Sequence, residues 1–238
     1  MYFITMTNHW TYSLVPAIEY SELAHRSATQ EFMQVGHFHD QVQIVAIFDG
    51  WRSFVTPVGT FWAEAGQIVV LPARLFHAPL MRARSTVSIL YLDPEHHAAR
   101  VIRRPTVLDG RGATRPTELL DRVVAASECA DEPEFRPIIS TLIDLVVGSE
   151  ASIEEIAKTA GYSADGFIRS FSRNVGTTPA KYRIAHRLNV ARALLKQGVS
   201  PADAACESGF ADQSHLGRCF LMTYGTTPGA YREGMRSA

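Results

Sequence analysis

The chain holds 238 residues, with 23 Lys and Arg against 24 Asp and Glu for a net charge of −1, and 46% of its residues are hydrophobic. That apolar share excludes a disordered polyelectrolyte, and no stretch approaches the roughly 18 uncharged apolar residues of a membrane helix. At about 100–200 residues per domain, the length fits one large domain or two small ones. The charge is unevenly spread: residues 149–238 carry 11 basic against 8 acidic side chains, and residues 1–148 carry 12 against 16. Near-neutrality overall therefore does not exclude a nucleic-acid partner.

The first ten residues lack a basic residue ahead of an apolar run, so no secretory signal is expected. The cysteines, Cys129, Cys206 and Cys219, are odd in number and lack metal-ligand spacing. Free thiols in a reducing cytoplasm are the expectation.

Residues 42–92 read as short β-rich runs punctuated by Gly and Pro, which predicts a small antiparallel barrel or sandwich. At its start stands His37-Phe38-His39, followed by Gln43. On a strand, residues two apart project to one side, so both histidines can approach one ion, and Gln43 keeps that parity. His77, on a neighbouring run, can close the set.

His-x-His with Gln43 and a stretch from Gly66 through Pro72 to His77 resembles the two motifs of the cupin barrel, with Gln43 in place of the usual glutamate. The resemblance implies a metal site at His37, His39, Gln43 and His77. Imidazoles suit Ni, Zn, Fe and Cu alike. Histidines lining an organic-ligand pocket without metal are the alternative.

Residues 94–116 mix charge, Gly and Pro as a connector does. After Pro116, Leu119, Leu120, Val123 and Val124 repeat at helical spacing, predicting a helix over 117–128 with one apolar stripe. Such a helix can dock on either domain or pair with its copy in a homodimer, and pairing is the expectation.

Beyond Pro137 the pattern is helical and repeats internally. Residues 152–183 overlay residues 200–232, matching Ala157 with Ala205, Gly161 with Gly209, Phe171 with Phe220, and Gly176-Thr177-Thr178-Pro179 with Gly225-Thr226-Thr227-Pro228. Each unit reads as a short helix, a glycine turn and a second helix, the helix-turn-helix signature. A plain helical hairpin explains the apolar stripes but not the outward placement of Arg169 and Arg173 in one unit and Gln213, His215 and Arg218 in the other. Arg forks to guanine and Gln to adenine. Pro179 opens a long helix over 179–197 that joins the units, with Lys181, Arg183, Arg187 and Arg192 as candidate phosphate contacts.

The segment from Gly209 through Gln213-Ser214-His215-Leu216-Gly217-Arg218 to Phe220, followed by Gly225-Thr226-Thr227-Pro228, resembles the AraC/XylS family of transcription regulators. By that resemblance the base-facing residues are Asp165, Ile168 and Arg169, then Gln213, Ser214, His215, Gly217 and Arg218. Asp165, anionic near phosphates, departs from what a groove usually welcomes.

The fold expected is α+β: a cupin-like antiparallel barrel over 1–93, a connector over 94–134, and an all-α domain over 135–238 with helix-turn-helix units at 152–176 and 200–225. The His-x-His-x3-Gln pattern before His77 further resembles a subgroup of AraC regulators that includes nickel-responsive repressors. The resemblance implies a cytoplasmic repressor, not an enzyme, that binds double-stranded DNA and is controlled by a divalent metal, nickel first, or by a small organic effector. A cupin oxygenase with an accessory DNA-binding domain is the rival, for which Gln43 supplies no carboxylate base.

Overall fold

The computed structural model describes residues 10–19, 21–28, 34–80, 85–113, 115–128 and 140–236; Cys129 and the start of the 135–238 segment lie outside them. Strands β1 (Thr11–Leu14), β2 (Glu22–Ala28), β3 (Val42–Asp49), β4 (Trp51–Thr56), β5 (Gly59–Glu64), β6 (Gln67–Leu71), β7 (Ala78–Leu80), β8 (Ser85–Leu92) and β9 (Thr106–Asp109) form two antiparallel sheets, ordered β1-β2-β8-β3-β6-β9 and β5-β4-β7. The inner faces of β3, β6 and β8, carrying Val45, Ile47, Val69, Leu71, Val87, Ile89 and Tyr91, pack on Phe54 and Ala63 of the smaller sheet. Their outer faces, carrying Ile44, Ala46, Ile68, Val70, Leu90 and Leu92, are also buried. Burial on both sides explains why these strands read as unbroken apolar runs rather than alternating ones.

The outer cover is helix α1 (Pro116–Glu128), whose Leu119, Leu120 and Val123 sit in the same cluster as the sheet. This corrects the expectation that the 117–128 stripe pairs with a second copy: the stripe is used within its own chain. A second correction concerns the connector, because β9 pairs with β6 from Gln67↔Asp109 to Val70↔Thr106. The sheet therefore extends past residue 93.

Helices α2 (Ser140–Val147), α3 (Ile153–Thr159), α4 (Ala164–Val175), α5 (Pro179–Lys196), α6 (Pro201–Glu207), α7 (Gln213–Tyr224) and α8 (Pro228–Arg236) follow. The repeat is a repeat of caps. Ser152 and Ser200 cap α3 and α6, Ser163 and Asp212 cap α4 and α7, and Gly176 and Gly225 end those two helices in the left-handed region. Each cap satisfies helix-end groups that would otherwise lack partners.

The two halves share a core. Tyr182 and Ala185 of α5 join the first helical unit around Phe167 and Phe171, together with Phe38 and Phe76 of the β half. Leu188, Ala191 and Leu195 join the barrel interior and the second unit. Gly176 abuts Pro57 in the β4–β5 turn, and a Cβ on Gly225 would overlap the Trp10 ring. The C-terminal ends of α4 and α7 thus both rest on the barrel.

Candidate functional site

His37-Phe38-His39 enters the barrel mouth as an extended segment, and its alternation does two jobs. His37 pairs with His77 in an isolated antiparallel bridge, His37 N donating to His77 O at 2.9 Å and His77 N to His37 O at 2.8 Å. Phe38, on the opposite side, stacks on Tyr182 of α5 with ring centroids 4.4 Å apart. Backbone pairing therefore brings His37, His39 and His77 together, with one ligating atom of each within 4.8 Å of the others and all three buried.

Tautomers follow from the partners. His37 Nδ1 lies 2.7 Å from Val35 O and His77 Nδ1 lies 2.9 Å from Leu75 O. Carbonyls only accept, so both rings carry the proton on Nδ1 and present an Nε2 lone pair. His39 differs. Arg192 Nη1 lies 3.2 Å from its Nδ1, and a guanidinium only donates, so the neutral His39 ring carries its proton on Nε2. His39 Nε2, His77 Nε2 and Gln43 Oε1 are buried without a hydrogen-bond partner among the described residues.

Burial keeps the three rings neutral. Desolvation and the neighbouring His77 lower His37 to about 3, and desolvation lowers His77 to about 4. Desolvation, then His37 and Arg192, push His39 well below the usual histidine range. Neutral imidazole is the form that ligates a metal. The donors present thus fit a borderline transition ion. Tetrahedral ligation at about 2.0–2.1 Å sets nitrogens roughly 3.4 Å apart, so the rings would have to close in slightly.

One wall of this site belongs to the helical half. Arg192 of α5 also donates from Nη2 to Glu22 Oε2 at 2.7 Å and from Nε to Tyr231 Oη at 3.2 Å, while Tyr231 Oη donates to Glu22 Oε2 at 2.7 Å. Lys196 Nζ stands 3.1 Å from Glu22 Oε1. Burial alone would raise the Glu22 carboxyl, but Arg192, Lys196 and Tyr231 outweigh it and hold the group below the usual carboxylate range. Asn189 Nδ2 donates to Phe38 O at 3.1 Å, a polar tie across the domain contact, and Tyr224 Oη holds Asn189 in place by donating to its Oδ1 at 3.0 Å.

Arg192, a candidate phosphate contact by sequence, lies elsewhere in the structure. It is 2% exposed and paired internally, so it is not a phosphate contact. Two further basic residues of the same helix also hold partners within the chain. Arg183 donates from Nε to Val146 O at 3.0 Å and from Nη2 to Ala151 O at 2.9 Å, capping carbonyls of the first unit, and Arg187 pairs with Glu150. Lys181, in the first turn of α5, is exposed.

On α4, Asp165, Arg169 and Arg173 are exposed and Ile168 is half-buried. On α7, Gln213, Ser214 and Arg218 are exposed, His215 packs edge-on to Phe210 at 5.2 Å, and a Cβ on Gly217 would meet open space. The opposite faces, through Phe167 and Phe171 or Leu216 and Phe220, are buried. Each second helix thus packs one face inward and presents a polar, partly basic face outward.

Residues 142–234 match the family model described as a helix-turn-helix domain, so this segment is a helix-turn-helix domain. Among curated proteins, the chain is 42% identical over 65 residues to the uncharacterized HTH-type transcriptional regulator YbfI of Bacillus subtilis, covering 27% of this chain and 24% of that one. It is 30% identical over 105 residues to the RCS-specific HTH-type transcriptional activator RclR of Escherichia coli, covering 44% and 37% respectively. The chain thus spans between a quarter and two fifths of the length of these relatives. Along nearly its whole length, 97% of this chain and 98% of the other, it shares the fold of fatty-acid-bound ToxT from Vibrio cholerae, with TM-score 0.60 at 13% identity. The fold is accordingly α+β, an antiparallel β domain followed by a helical helix-turn-helix domain. Among the described residues, no helix is long and apolar enough to cross a membrane.

Proposed function

We propose that the chain is a sequence-specific, DNA-binding transcription regulator of the AraC/XylS type, not an enzyme, controlled by a ligand in the barrel. The observation that carries the DNA reading is the outward face of α4 and α7 within a matched helix-turn-helix domain. Arg169, Arg173 and Arg218 are exposed there, with no hydrogen bond or ion pair to another described residue. The base-facing set is Asp165, Ile168 and Arg169 on α4 with Gln213, Ser214, His215, Gly217 and Arg218 on α7; Arg173 adds to the outward face of α4, and Lys181 serves phosphate. Helix α5, about 27 Å long at 1.5 Å per residue, spaces the two units. Selection of duplexes from a random pool by the full chain tests this directly. Enrichment of one sequence is expected, with Arg218→Ala weakening it by about 1–3 kcal/mol. No enriched sequence would end the reading.

For control, His37, His39 and His77 with Gln43 Oε1 hold a divalent transition metal, nickel being the first to test, and its binding relieves repression. A bound ion would supply a positive charge facing the imidazole lone pairs. Whichever nitrogen of His39 ligates, the Arg192 bond is lost: Nδ1 ligation uses the accepting lone pair, and Nε2 ligation moves the proton onto Nδ1. Arg192 lies on the helix that spaces both units. A ligand that binds the two arrangements with different affinity shifts their populations, as control requires.

A second reading, an organic effector without metal, is favoured by the positive charge of Arg192 against the site and by the ToxT likeness, since that structure holds a fatty acid. It acts on the same His39–Arg192 contact.

A further inference from the structure

Helix α7 ends with the carbonyls of Leu221, Met222, Thr223 and Tyr224, the last turn that a helix leaves without internal partners. Each of them is nevertheless bonded. Gly225 N donates to Leu221 O at 2.8 Å, as a left-handed glycine cap does. The remaining donors all come from the β half: Val35 N reaches Met222 O at 3.3 Å, Gln34 Nε2 reaches Thr223 O at 3.0 Å, and Tyr12 Oη reaches Tyr224 O at 2.9 Å. Burial raises the Tyr12 hydroxyl well above its usual range, so it stays protonated and donates.

Helix α4, the counterpart of α7 in the repeat, is finished differently. Gly176 N donates to Ser172 O at 2.9 Å, but no described residue of the β half donates to the carbonyls of Arg173, Asn174 or Val175. Here the barrel meets the helix end through the apolar contact of Pro57 with Gly176. An apolar contact tolerates sliding, whereas a set of hydrogen bonds fixes an orientation.

The donors to α7 are also tied to the histidine site. Val35 gives its N–H to Met222 O and accepts from His37 Nδ1 on its own carbonyl at 2.7 Å. Peptide units are planar, so the φ and ψ of Val35 are the soft torsions between these two bonds. A displacement of the His37 ring therefore reaches the end of α7 without passing through α5.

We infer that Gln34, Val35 and Tyr12 are positioning residues for α7: the barrel completes the C-terminal cap of this helix and so sets where its outward face lies, while α4 keeps its own cap. The inference rests on the regulator reading above, on which the face so placed carries Gln213, Ser214, His215 and Arg218. The two DNA half-sites then respond unequally. Selectivity at the half-site of α7 depends on these barrel residues, and selectivity at that of α4 does not.

Gln34→Ala and Tyr12→Phe each remove one donor and leave α7, the histidines and the aromatic ring in place. Amide hydrogen exchange of the full chain should show the last turn of α7 opening about tenfold faster in either variant, with the last turn of α4 unchanged. Selection from random duplexes, with Arg218→Ala and Arg169→Ala marking which bases belong to α7 and α4, gives the second readout. The Gln34→Ala/Tyr12→Phe chain should lose base preference at the α7 positions and keep it at the α4 positions. Gln34→Lys, which retains a donor and adds positive charge at a helix C-terminus, should select as the native chain does. Unchanged exchange in α7, unchanged preference at its positions, or the equal loss at both half-sites that a merely structural role would give, overturns the inference. A native chain that selects no duplex would instead end the regulator reading, and exchange alone would then decide whether the barrel caps α7.

Discussion

Arg192 Nη1 donates to His39 Nδ1 across 3.2 Å, and this contact joins a helix of the helical half to a ring of the barrel site. The same guanidinium is anchored on Glu22, whose carboxylate lies on β2. Arg192 therefore has a permanent partner and a conditional one. Its pairing with Glu22 needs nothing from the site, whereas its bond to His39 exists only while His39 keeps an unligated Nδ1 lone pair.

The Glu22–Arg192 pair should behave as a buried ion pair. Glu22→Gln leaves a guanidinium buried against a weak acceptor, with an expected loss of about 3–5 kcal/mol in unfolding free energy. Removing both charges, as Glu22→Gln with Arg192→Met, should be milder than the single change. Denaturant unfolding of the two singles and the double closes the cycle, and additive losses would show that the pair does not couple the halves.

Acid should destabilise the metal-free protein earlier than carboxylate titration alone. The unfolded chain takes up protons on His37 and His77 from about pH 6.5 downward, whereas the folded protein resists until about 4 for His77 and about 3 for His37. More protons on the unfolded state means stability falls with pH, so the loss runs from 6.5 down through those folded values and is absent above 6.5. Glu22, whose folded carboxyl is lowered, adds a loss of the same sign below about 4.5. Melting temperature against pH checks this, and the curve for His37→Gln/His77→Gln should be flatter between 6.5 and 4.

Two glycines separate backbone strain from domain contact. Gly161 and Gly225 both have positive φ, +76° and +69°, but a Cβ on Gly161 meets nothing within 4 Å whereas one on Gly225 overlaps Trp10. Gly161→Ala should cost about 1–2 kcal/mol from the left-handed backbone alone. Gly225→Ala should cost clearly more, and Trp10→Ala should reduce the difference. Equal losses in the two single variants would mean that α7 does not bear on the barrel.

What the sequence revealed depended on whether one rule governed a segment. The helical repeat was legible because each unit carries its own caps and apolar stripe, as Ser163 and Gly176 do for α4. His37 and His39 were legible from strand parity, and His77 joined them through the resemblance to the two cupin motifs. Strand β2 was not, because Glu22 and Arg26 occupy inward positions and break the apolar alternation that marks a strand. Strand β9 hid behind Arg103-Arg104-Pro105 and Asp109-Gly110, whose turn chemistry dominates a four-residue strand. Arg192 looked like any basic residue on a helix above DNA. Its burial is decided by Glu22, 170 residues away, which no local pattern reports.

The central claim is that occupancy of the histidine site alters DNA binding through Arg192. Affinity for the selected duplex, measured by fluorescence anisotropy with and without one equivalent of Ni(II) while metal content is verified, tests it most directly. Nickel should weaken the native complex at least tenfold, and this response should be lost in His37→Ala/His77→Ala and strongly reduced in Arg192→Met. Identical DNA affinity for the metal-bound and metal-free native protein would contradict the claim.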